Sequence, residues 1–290
     1  MLSILVTGAE GQLGQCFQEV AKEFPIYKLF FESKKTLDIT EEKSLDKVYD
    51  QNPFNGIINC AAYSNVDKAE IDTEKAKETN EIGIQTLATF AKEKNLFIIH
   101  FSTDYLFDGN CRIPLKEDHT KNPLNHYAQS KLAGEKILSK ANFSHTTFRI
   151  SWLFSPFGNN FVKKILKLSN TNKEIKVVND QLGSPTYGID LARVVLEKLT
   201  NPKFFDFNCY HYANKGTVSW YEFAKKIIEI SKKKCVVYPC LTSEYEMLAP
   251  RPKYSVLDTK RIENHLSLSI SDWENALIRC FKKYNFDEVV

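Results

Sequence analysis

The segment Ser3-Ile-Leu-Val-Thr7, followed at once by Gly8-Ala-Glu-Gly11-Gln-Leu-Gly14, decides the fold that this sequence predicts. Its first five residues favour a buried strand, and the amphipathic stretch Gln12–Lys22 favours a helix that begins inside the glycine run. Glycines at such a junction let the backbone turn tightly and approach a pyrophosphate, whose charge the helix N-terminus stabilises. The spacing is G-x-x-G-x-x-G, and a tight turn alone could also require it. Its place at the first strand–helix junction favours dinucleotide binding.

Short β-rich runs and helical stretches alternate through the first half of the chain. The predicted strands are Ser3–Thr7, Ile26–Phe31, Gly56–Ala61, Leu96–Ser102 and Thr146–Ser151. The predicted helices are Gln12–Lys22, Glu41–Asp50, Glu74–Lys94 and His126–Lys140. This alternation predicts an α/β fold with a doubly wound, Rossmann-like parallel sheet, which binds ligands at the carboxyl ends of its strands.

The alternation becomes less regular after Trp152. Helices are predicted at Phe161–Leu168, Ile189–Leu199, Ser219–Ser231 and Ser271–Lys283, and strands at Glu174–Val178 and Cys235–Tyr238. We therefore expect a dinucleotide-binding domain over residues 1–151. Residues 152–290 are expected to form mainly a smaller C-terminal substrate-binding lobe, with segments that return to the sheet.

The composition argues against nucleic-acid-binding, membrane-spanning, secreted and metal-binding proteins. A chain of 290 residues with 43% hydrophobic content can bury a substantial core, and its net charge of +3 gives no nucleic-acid-binding pattern. No apolar stretch is long enough to cross a bilayer, and the N-terminus does not resemble a secretory signal. The seven cysteines are scattered without a C-x-x-C pair, as expected of reduced thiols in a cytoplasmic protein without a metal site.

Three residues predict a reduction site. Tyr127 and Lys131 lie four residues apart in a predicted helix, so that the phenol and the ammonium share one face. An ammonium beside a phenol favours the phenolate and would lower its pKa from the usual value of about 10. Thr103, at the end of a predicted strand, can donate a hydrogen bond to a carbonyl oxygen that Tyr127 protonates. The Tyr–Lys spacing also occurs on solvated helices, and Thr103 could merely cap its strand.

The sequence leaves the choice of cofactor open. Glu32, at the end of the second predicted strand, could accept the ribose hydroxyls of NADH, whereas Lys34 or Lys35 could pair with the 2′-phosphate of NADPH. Asp38 is a good helix N-cap, although it could also lie beside the adenine. The small residues of Asn59–Tyr63 would let a cofactor lie against the backbone, and they would equally suit close packing.

The glycine turn, the strand-end threonine and Tyr-x-x-x-Lys resemble the extended short-chain dehydrogenase/reductase superfamily. Within it, the chain resembles the dTDP-4-dehydrorhamnose reductases. The matching stretches run in family order over nearly the whole chain: Gly11–Gly14, Ala61–Glu70, Ser102–Gly109, Tyr127–Glu135, Arg149–Trp152, Asn159–Phe161, Asn179–Thr186, Ala249–Pro252 and Ser255–Asp258. The Asp-Gln-x-Gly-x-Pro-Thr and Pro-Arg-Pro elements discriminate best.

The resemblance implies reduction of the C4 ketone of dTDP-4-dehydro-L-rhamnose by NADPH or NADH, as in polysaccharide biosynthesis. It implies catalytic roles for Thr103, Tyr127 and Lys131. The implied cofactor-binding residues are Gly8, Gly11, Gln12, Leu13, Asp38, Ile39, Ala61, Ala62, Tyr63, Ser102, Tyr127 and Lys131. The implied substrate-binding residues are Val66, Asp104, Tyr105, Trp152, Asn160 and Arg251.

The chain departs from the family where some members form magnesium-linked dimers. Those members use an acidic residue just after the glycine turn, and Gln15 stands there in this chain. We therefore expect no metal, and either a monomer or a homodimer. The partner is expected to be a dTDP-sugar, with neither nucleic acid nor membrane.

Two alternatives stay open. A nucleotide-sugar epimerase or dehydratase of the same superfamily would recycle tightly held NAD, although dehydratases usually carry an Asp-Glu pair where this chain has Asp104-Tyr105. A non-catalytic subunit resembling the β subunit of methionine adenosyltransferase would bind the dinucleotide without turnover. The presence of Thr103, Tyr127 and Lys131 together disfavours the second alternative.

Overall fold

A computed structural model describes residues 1–283, and a six-stranded sheet runs through its centre. The strands are β1 (Leu2–Thr7), β2 (Tyr27–Glu32), β3 (Gly56–Asn59), β4 (Phe97–Thr103), β5 (His145–Ile150), β6 (Leu153–Phe154), β7 (Glu174–Val178), β8 (Leu182–Gly183), β9 (Thr186–Tyr187), β10 (Cys209–Tyr212), β11 (Val218–Ser219) and β12 (Val236–Cys240). The helices are α1 (Gln12–Ala21), α2 (Glu42–Gln51), α3 (Thr73–Lys77), α4 (Gly83–Lys94), α5 (His126–Leu138), α6 (Phe161–Thr171), α7 (Gly188–Lys198), α8 (Trp220–Ser231), α9 (Lys260–His265) and α10 (Trp273–Lys283). Residues 284–290 of the predicted second lobe lie outside the described residues.

The main sheet has the strand order β2-β1-β3-β4-β5-β10, and every neighbouring pair is parallel. The chain leaves β1 towards β2 and then crosses to β3 on the opposite side of β1. Such a reversal opens a crevice at the carboxyl ends of the two strands, where open α/β sheets bind ligands. The predicted fold class is confirmed.

Both faces of the sheet are buried, which explains the continuous apolar runs of its strands. Ile4 and Val6 belong to the apolar cluster beneath α1, whereas Leu5 belongs to the cluster on the opposite face. All three side chains have no exposed surface. Because side chains alternate along a strand, only a run that is apolar at every position can fill both layers.

The second half of the chain completes this framework. β10 extends the main sheet beside β5, and α7 packs against α1. β7 and β12 form a separate parallel pair, against which α8 packs. The sequence pattern does not predict β10, because the segment Cys-Tyr-His-Tyr lacks the aliphatic residues of the other strands.

The predicted helix over Glu74–Lys94 is confirmed, but it is not α-helical throughout. A π-helical turn, Glu78–Ile82, separates α3 from α4. The Asn80 side chain is buried there: its Oδ1 accepts from Tyr63 N at 2.9 Å, and its Nδ2 donates to Ser130 Oγ at 2.9 Å. The helix widens where these bonds tie it to the site, and π-helical turns often accompany functional sites.

Strand β12 also lies further along the chain than the predicted Cys235–Tyr238, and it includes Pro239. Proline is tolerated at the edge of a two-stranded pair, where its missing N–H costs no ladder bond. Within residues 1–283 no helix has the length and apolar character needed to cross a membrane.

Candidate active site

The glycine turn is shaped by close backbone approach. Gly8 has a φ of +64°, and a Cβ there would lie 2.6 Å from Ala61 N in the loop after β3. A Cβ on Gly14 would collide with Gly8 O, whereas one on Gly11 would lie 3.1 Å from that oxygen. Gly11 is the N-cap of α1 and no side chain caps this helix. The helix start can therefore receive an anion.

A cavity of about 320 Å³ adjoins this turn. Seven of the predicted cofactor residues line it: Gly8, Gly11, Asp38, Ile39, Ala61, Ala62 and Tyr63. Lys34 lines it as well, whereas Glu32 does not. Asp38 Oδ1 accepts from Thr40 N at 3.0 Å, so this carboxylate orders the loop before α2 as it faces the cavity.

A second cavity, of about 350 Å³, lies at the carboxyl end of β4. The three predicted catalytic residues line it together with Gln12, Leu13 and Ser102. Gly11, Cys60 and Ala62 line both cavities, so the two are neighbours across the glycine turn. The fold thus brings the predicted catalytic group next to the predicted dinucleotide site.

Helix α5 presents Tyr127 and Lys131, the predicted catalytic tyrosine and lysine. Its N-cap is Asn125, whose Oδ1 accepts from Ala128 N at 2.8 Å and whose Nδ2 donates to Pro250 O at 2.9 Å. This cap fixes the start of the helix and hence the direction of its first turn. Lys131, one turn after Tyr127, is only 2% exposed, and its Nζ donates to Phe101 O at 2.7 Å.

The expected lowering of the Tyr127 pKa by Lys131 is not found. Burial raises the pKa of Tyr127 to about 12, and a hydrogen bond with Thr103 offsets only part of that effect. Burial also lowers the pKa of Lys131 to about 8, against an opposing contribution from Glu135. Both groups lose hydration in the cavity, and this removal from water is the largest cause of each shift.

Thr103 is held by its neighbours at the end of β4. Its Oγ1 donates to Asp104 Oδ1 at 3.2 Å and accepts from Tyr105 N at 3.2 Å. Asp104 is 2% exposed, and burial raises its pKa to about 7. The ring of Tyr105 meets that of Tyr127 edge to face, with centroids 6.4 Å apart.

Four of the predicted substrate residues line the second cavity: Val66, Asp104, Tyr105 and Trp152. Trp152 has a φ of +47° and stacks on Trp220 with ring centroids 3.5 Å apart. Gly183 lies beneath this indole, where a Cβ would lie 2.5 Å from its Cε2. The indole is therefore a wall of the cavity, held between a second indole and bare backbone.

Asn160 does not line this cavity, and its place beside the sugar stays a prediction. Its Oδ1 accepts from Lys163 N at 3.2 Å as the N-cap of α6, and its Nδ2 donates to Ser155 O at 2.8 Å. Capping and the bond to the preceding loop thus use both ends of the amide. Asn159 lines the cavity in its place.

Arg251 lines a neighbouring groove of about 330 Å³, which shares Tyr105 and Trp220 with the second cavity. Its guanidinium already pairs with Asp67, through Nη2 to Oδ2 at 2.7 Å and Nη1 to Oδ1 at 3.1 Å. Two further cations, Lys164 and Lys176, line the same groove. A phosphate bound there would meet these ammonium groups as well as the paired guanidinium.

A model of the RmlD substrate binding domain matches residues 2–286. The chain belongs to this family. A dTDP-4-dehydrorhamnose reductase of Aggregatibacter actinomycetemcomitans is 36% identical to this RmlD-family chain, over 96% of the chain and 97% of the relative.

Two solved structures resemble this RmlD-family chain closely. One is a dTDP-4-dehydrorhamnose reductase of Clostridium acetobutylicum, with a TM-score of 0.92, 36% identity and coverage of 97% of this chain and 99% of that one. The other is the dTDP-4-dehydrorhamnose reductase of Bacillus anthracis in complex with NADP, with a TM-score of 0.90, 35% identity and coverage of 98% and 100%.

Sequence reasoning missed several residues that line the site of this RmlD-family chain. Trp220 carries no motif of its own, and tertiary packing alone brings it to the cavity. Asn159 lies in the matching stretch Asn159–Phe161, of which Asn160 was the predicted substrate residue. His100 lines neither cavity but lies behind the site, and its place three residues before Thr103 on the same strand is the signal that could have identified it. Among residues 1–283 no group of three or more His, Cys, Asp or Glu side chains could hold a metal ion.

Proposed function

We propose that the protein reduces the C4 ketone of dTDP-4-dehydro-L-rhamnose to dTDP-L-rhamnose with a reduced nicotinamide cofactor, and that Tyr127 donates the proton. The convergence of Thr103, Tyr127 and Lys131 on one cavity beside the glycine turn carries this proposal. Membership of the RmlD family supports the substrate, because relatives with 30–36% identity over nearly their whole length carry this activity in their names.

The lining of the first cavity suits the adenosine and pyrophosphate parts of a dinucleotide. The uncapped start of α1 at Gly11 would receive the pyrophosphate, and Ala61 and Ala62 leave room beside the backbone. Asp38 and Ile39 would then lie at the adenosine end. Lys34 lines this end and would pair with a 2′-phosphate, which favours NADPH over NADH. When bound, the cofactor supplies the hydride.

The residues of the second cavity would complete the reduction. Tyr127 keeps its proton at neutral pH because its pKa is about 12. An alkoxide is more basic than a phenolate, so a proton transfer from Tyr127 to the developing alkoxide is favourable. Thr103 would turn its hydroxyl from Asp104 to the same oxygen, and Lys131 would contribute positive charge.

The substrate would span two neighbouring cavities. We place the sugar against Val66, Tyr105 and Trp152, and the nucleotide diphosphate in the groove with Lys164, Lys176 and Arg251. Trp220 lines both spaces and would separate the two parts of the substrate. In this arrangement residues 152–283, the described part of the predicted second lobe, would form most of the substrate-binding lobe. A cytoplasmic monomer or homodimer remains our expectation for the assembly.

A coupled assay tests the proposed reaction. The protein is mixed with dTDP-4-dehydro-6-deoxyglucose, the matching 3,5-epimerase and either NADPH or NADH, and the absorbance of the reduced nicotinamide is followed. We expect oxidation in proportion to product, which also distinguishes net reduction from the cofactor recycling of an epimerase or dehydratase. If neither NADPH nor NADH is oxidised, the proposed reaction is refuted and a non-catalytic subunit is favoured.

Replacement of the proton donor gives a sharper test. In Tyr127→Phe the ring remains but the acidic hydroxyl is lost, so we expect kcat to fall by about 10²–10⁴-fold, the usual contribution of a general acid. Binding of NADPH, followed by its fluorescence, should change little. Tyr49→Phe is the matched control, because Tyr49 packs on Phe54 away from both cavities. Unchanged turnover in Tyr127→Phe would show that the proton comes from another group.

A further inference from the structure

A row of buried polar side chains crosses the carboxyl ends of three neighbouring strands and ends at Lys131. Thr7 closes β1, Asn59 closes β3 and His100 lies on β4, where register pairs Thr7 with Asn59 and Asn59 with His100. None of these side chains, nor that of Lys131, is more than 2% exposed. Polar groups so deeply buried are kept only where their hydrogen bonds are satisfied.

The partners of Asn59 fix the orientation of its amide. Its Oδ1 accepts from Thr7 Oγ1 at 2.6 Å and from Ala61 N at 3.2 Å. The Ala61 N–H can only donate, and its other acceptor, Thr7 Oγ1, is farther away at 3.4 Å, so this atom of Asn59 is the oxygen and the nitrogen, Nδ2, faces His100 Nδ1 at 3.1 Å. Asn59 therefore donates, and His100 Nδ1 accepts.

This bond in turn selects the tautomer of His100. Burial, and then the nearby Lys131 charge, hold the pKa of His100 well below its usual range, so that the ring is neutral. A neutral ring that accepts at Nδ1 carries its proton on Nε2. That Nε2 lies 3.2 Å from Lys131 Nζ.

We propose that His100 is a positioning residue that presents its Nε2–H to Lys131 Nζ, so that it donates to the amine when Lys131 is neutral and disfavours the ammonium, which can only donate, as it does to the Phe101 carbonyl. The proposal rests on the proposed reductase function for its meaning in catalysis. His100 touches neither the first nor the second cavity, and it acts only through Lys131.

The consequence concerns the charge of Lys131. A donor directed at Nζ stabilises the neutral amine and opposes the ammonium, in the same direction as the burial that lowers the pKa of Lys131 to about 8. Other titratable groups also act here: Cys60, Asp104, Tyr105 and Tyr127 line the same cavity, and Glu135 favours the ammonium from α5. His100 would thus help to set the pH above which the site loses its positive charge.

Nitrogen NMR of the imidazole rings tests the contact without any turnover. In protein labelled with ¹⁵N-histidine, the signals of His100 are identified by their loss in His100→Leu. We expect the Nε2–H tautomer in the wild type and the Nδ1–H tautomer in Asn59→Asp, whose carboxylate would accept where the amide donates. An Nδ1–H tautomer in the wild type would overturn the proposal, whether or not the protein reduces a sugar nucleotide.

The pH profile of kcat/KM tests the effect on Lys131. Activity should decline as pH rises through about 8, where the lysine loses its charge. In His100→Leu the decline should move to higher pH by about one unit, the shift expected when an ordinary hydrogen bond to one protonation state is lost. Asn59→Asp should move it in the same direction, because the imidazole then presents an acceptor to Lys131.

His145→Leu is the matched control, since it removes another buried imidazole from the opposite end of the sheet. We expect it to leave the alkaline decline where it is in the wild type. If His100→Leu does not fold, the pH profile of Asn59→Asp, which retains the imidazole of His100, tests the proposal instead. An alkaline decline that stays in place, or moves to lower pH, in either folded variant would overturn the proposal.

Discussion

Asp104 follows Thr103, the proposed catalytic threonine, and is almost wholly buried at the end of β4. For Asp104 and for Tyr127, removal of the side chain from water affects the pKa more than the charged neighbours do. Burial raises the pKa of both side chains, the carboxyl to about 7 and the phenol to about 12. Each neutral form is therefore the stable one in the folded protein at slightly acid pH.

Asp104→Asn should remove the destabilisation of the folded protein that results from ionising a buried carboxyl at high pH. The folded-state pKa of Asp104 lies above its unfolded value, so its contribution to stability is complete below about pH 4 and is lost as pH rises through about 7. The amide carries no charge at either pH. We expect the gain in unfolding free energy from Asp104→Asn to be larger at about pH 8 than at about pH 4.5, by about 3 kcal/mol.

Urea unfolding of both proteins at the two pH values measures this difference. Comparing the two proteins at each pH cancels the titration of all other groups. An equal effect of the substitution at both pH values would contradict the assigned burial effect.

The three glycines of the turn between β1 and α1, Gly8, Gly11 and Gly14, have different structural roles. Gly8 and Gly14 are required by the backbone itself, because a Cβ on either would overlap neighbouring main-chain atoms. Gly11 has more room, and its importance would lie in the space it leaves for a ligand. The three glycines are equivalent in the sequence motif, and their different roles become evident only in the folded turn.

Gly11→Ala and Gly14→Ala should therefore fail in different ways. Gly14→Ala should destabilise the fold by about 1–3 kcal/mol, the usual cost of overpacking, because its Cβ would meet Gly8 O. Gly11→Ala should lower the stability less, because its Cβ would meet only Gly8 O, at 3.1 Å, but it should weaken NADPH binding. Thermal unfolding and fluorescence titration of both variants give the comparison. Equal losses of stability would contradict the division of roles.

Across the whole molecule, a buried ion pair joins parts that lie far apart in the chain. Arg149 on β5 makes a two-nitrogen contact with Glu135 of α5, with Nη2 to Oε2 at 2.8 Å. Its Nη1 also donates to Glu117 O at 2.9 Å and contacts His211 Nε2 of β10 at 3.2 Å. One guanidinium thus connects the catalytic helix, the loop after β4 and the edge strand.

Removing this cation should leave the Glu135 carboxylate buried without its partner. We expect Arg149→Met to lower the free energy of unfolding by about 3–5 kcal/mol, as for other broken buried pairs. Lys22→Met is the matched control, because its pair with Glu19 lies at the surface, where such pairs contribute about 0–1 kcal/mol. Urea unfolding measures both, and similar losses for the two variants would contradict a structural role for Arg149.

The sequence by itself determined the α/β class, the glycine turn and the family, and all three are confirmed. These features can be predicted because they depend on local sequence patterns: alternating apolar runs, glycine spacing and short motifs. The domain division at residue 151 and the roles of the site residues stay predictions. The helix over Glu74–Lys94 is confirmed, but its π-helical turn was not predicted, because Asn80 bonds to a loop that is distant in sequence.

Only the tertiary structure decided the environment of each side chain. It put Asn159 rather than Asn160 at the cavity, paired Arg251 with Asp67, and set Trp220 against Trp152. It also reversed the expected shift of the Tyr127 pKa, because burial depends on everything packed around the phenol. Sequence spacing fixes which groups share a helix face, but exposure to water is a property of the whole fold.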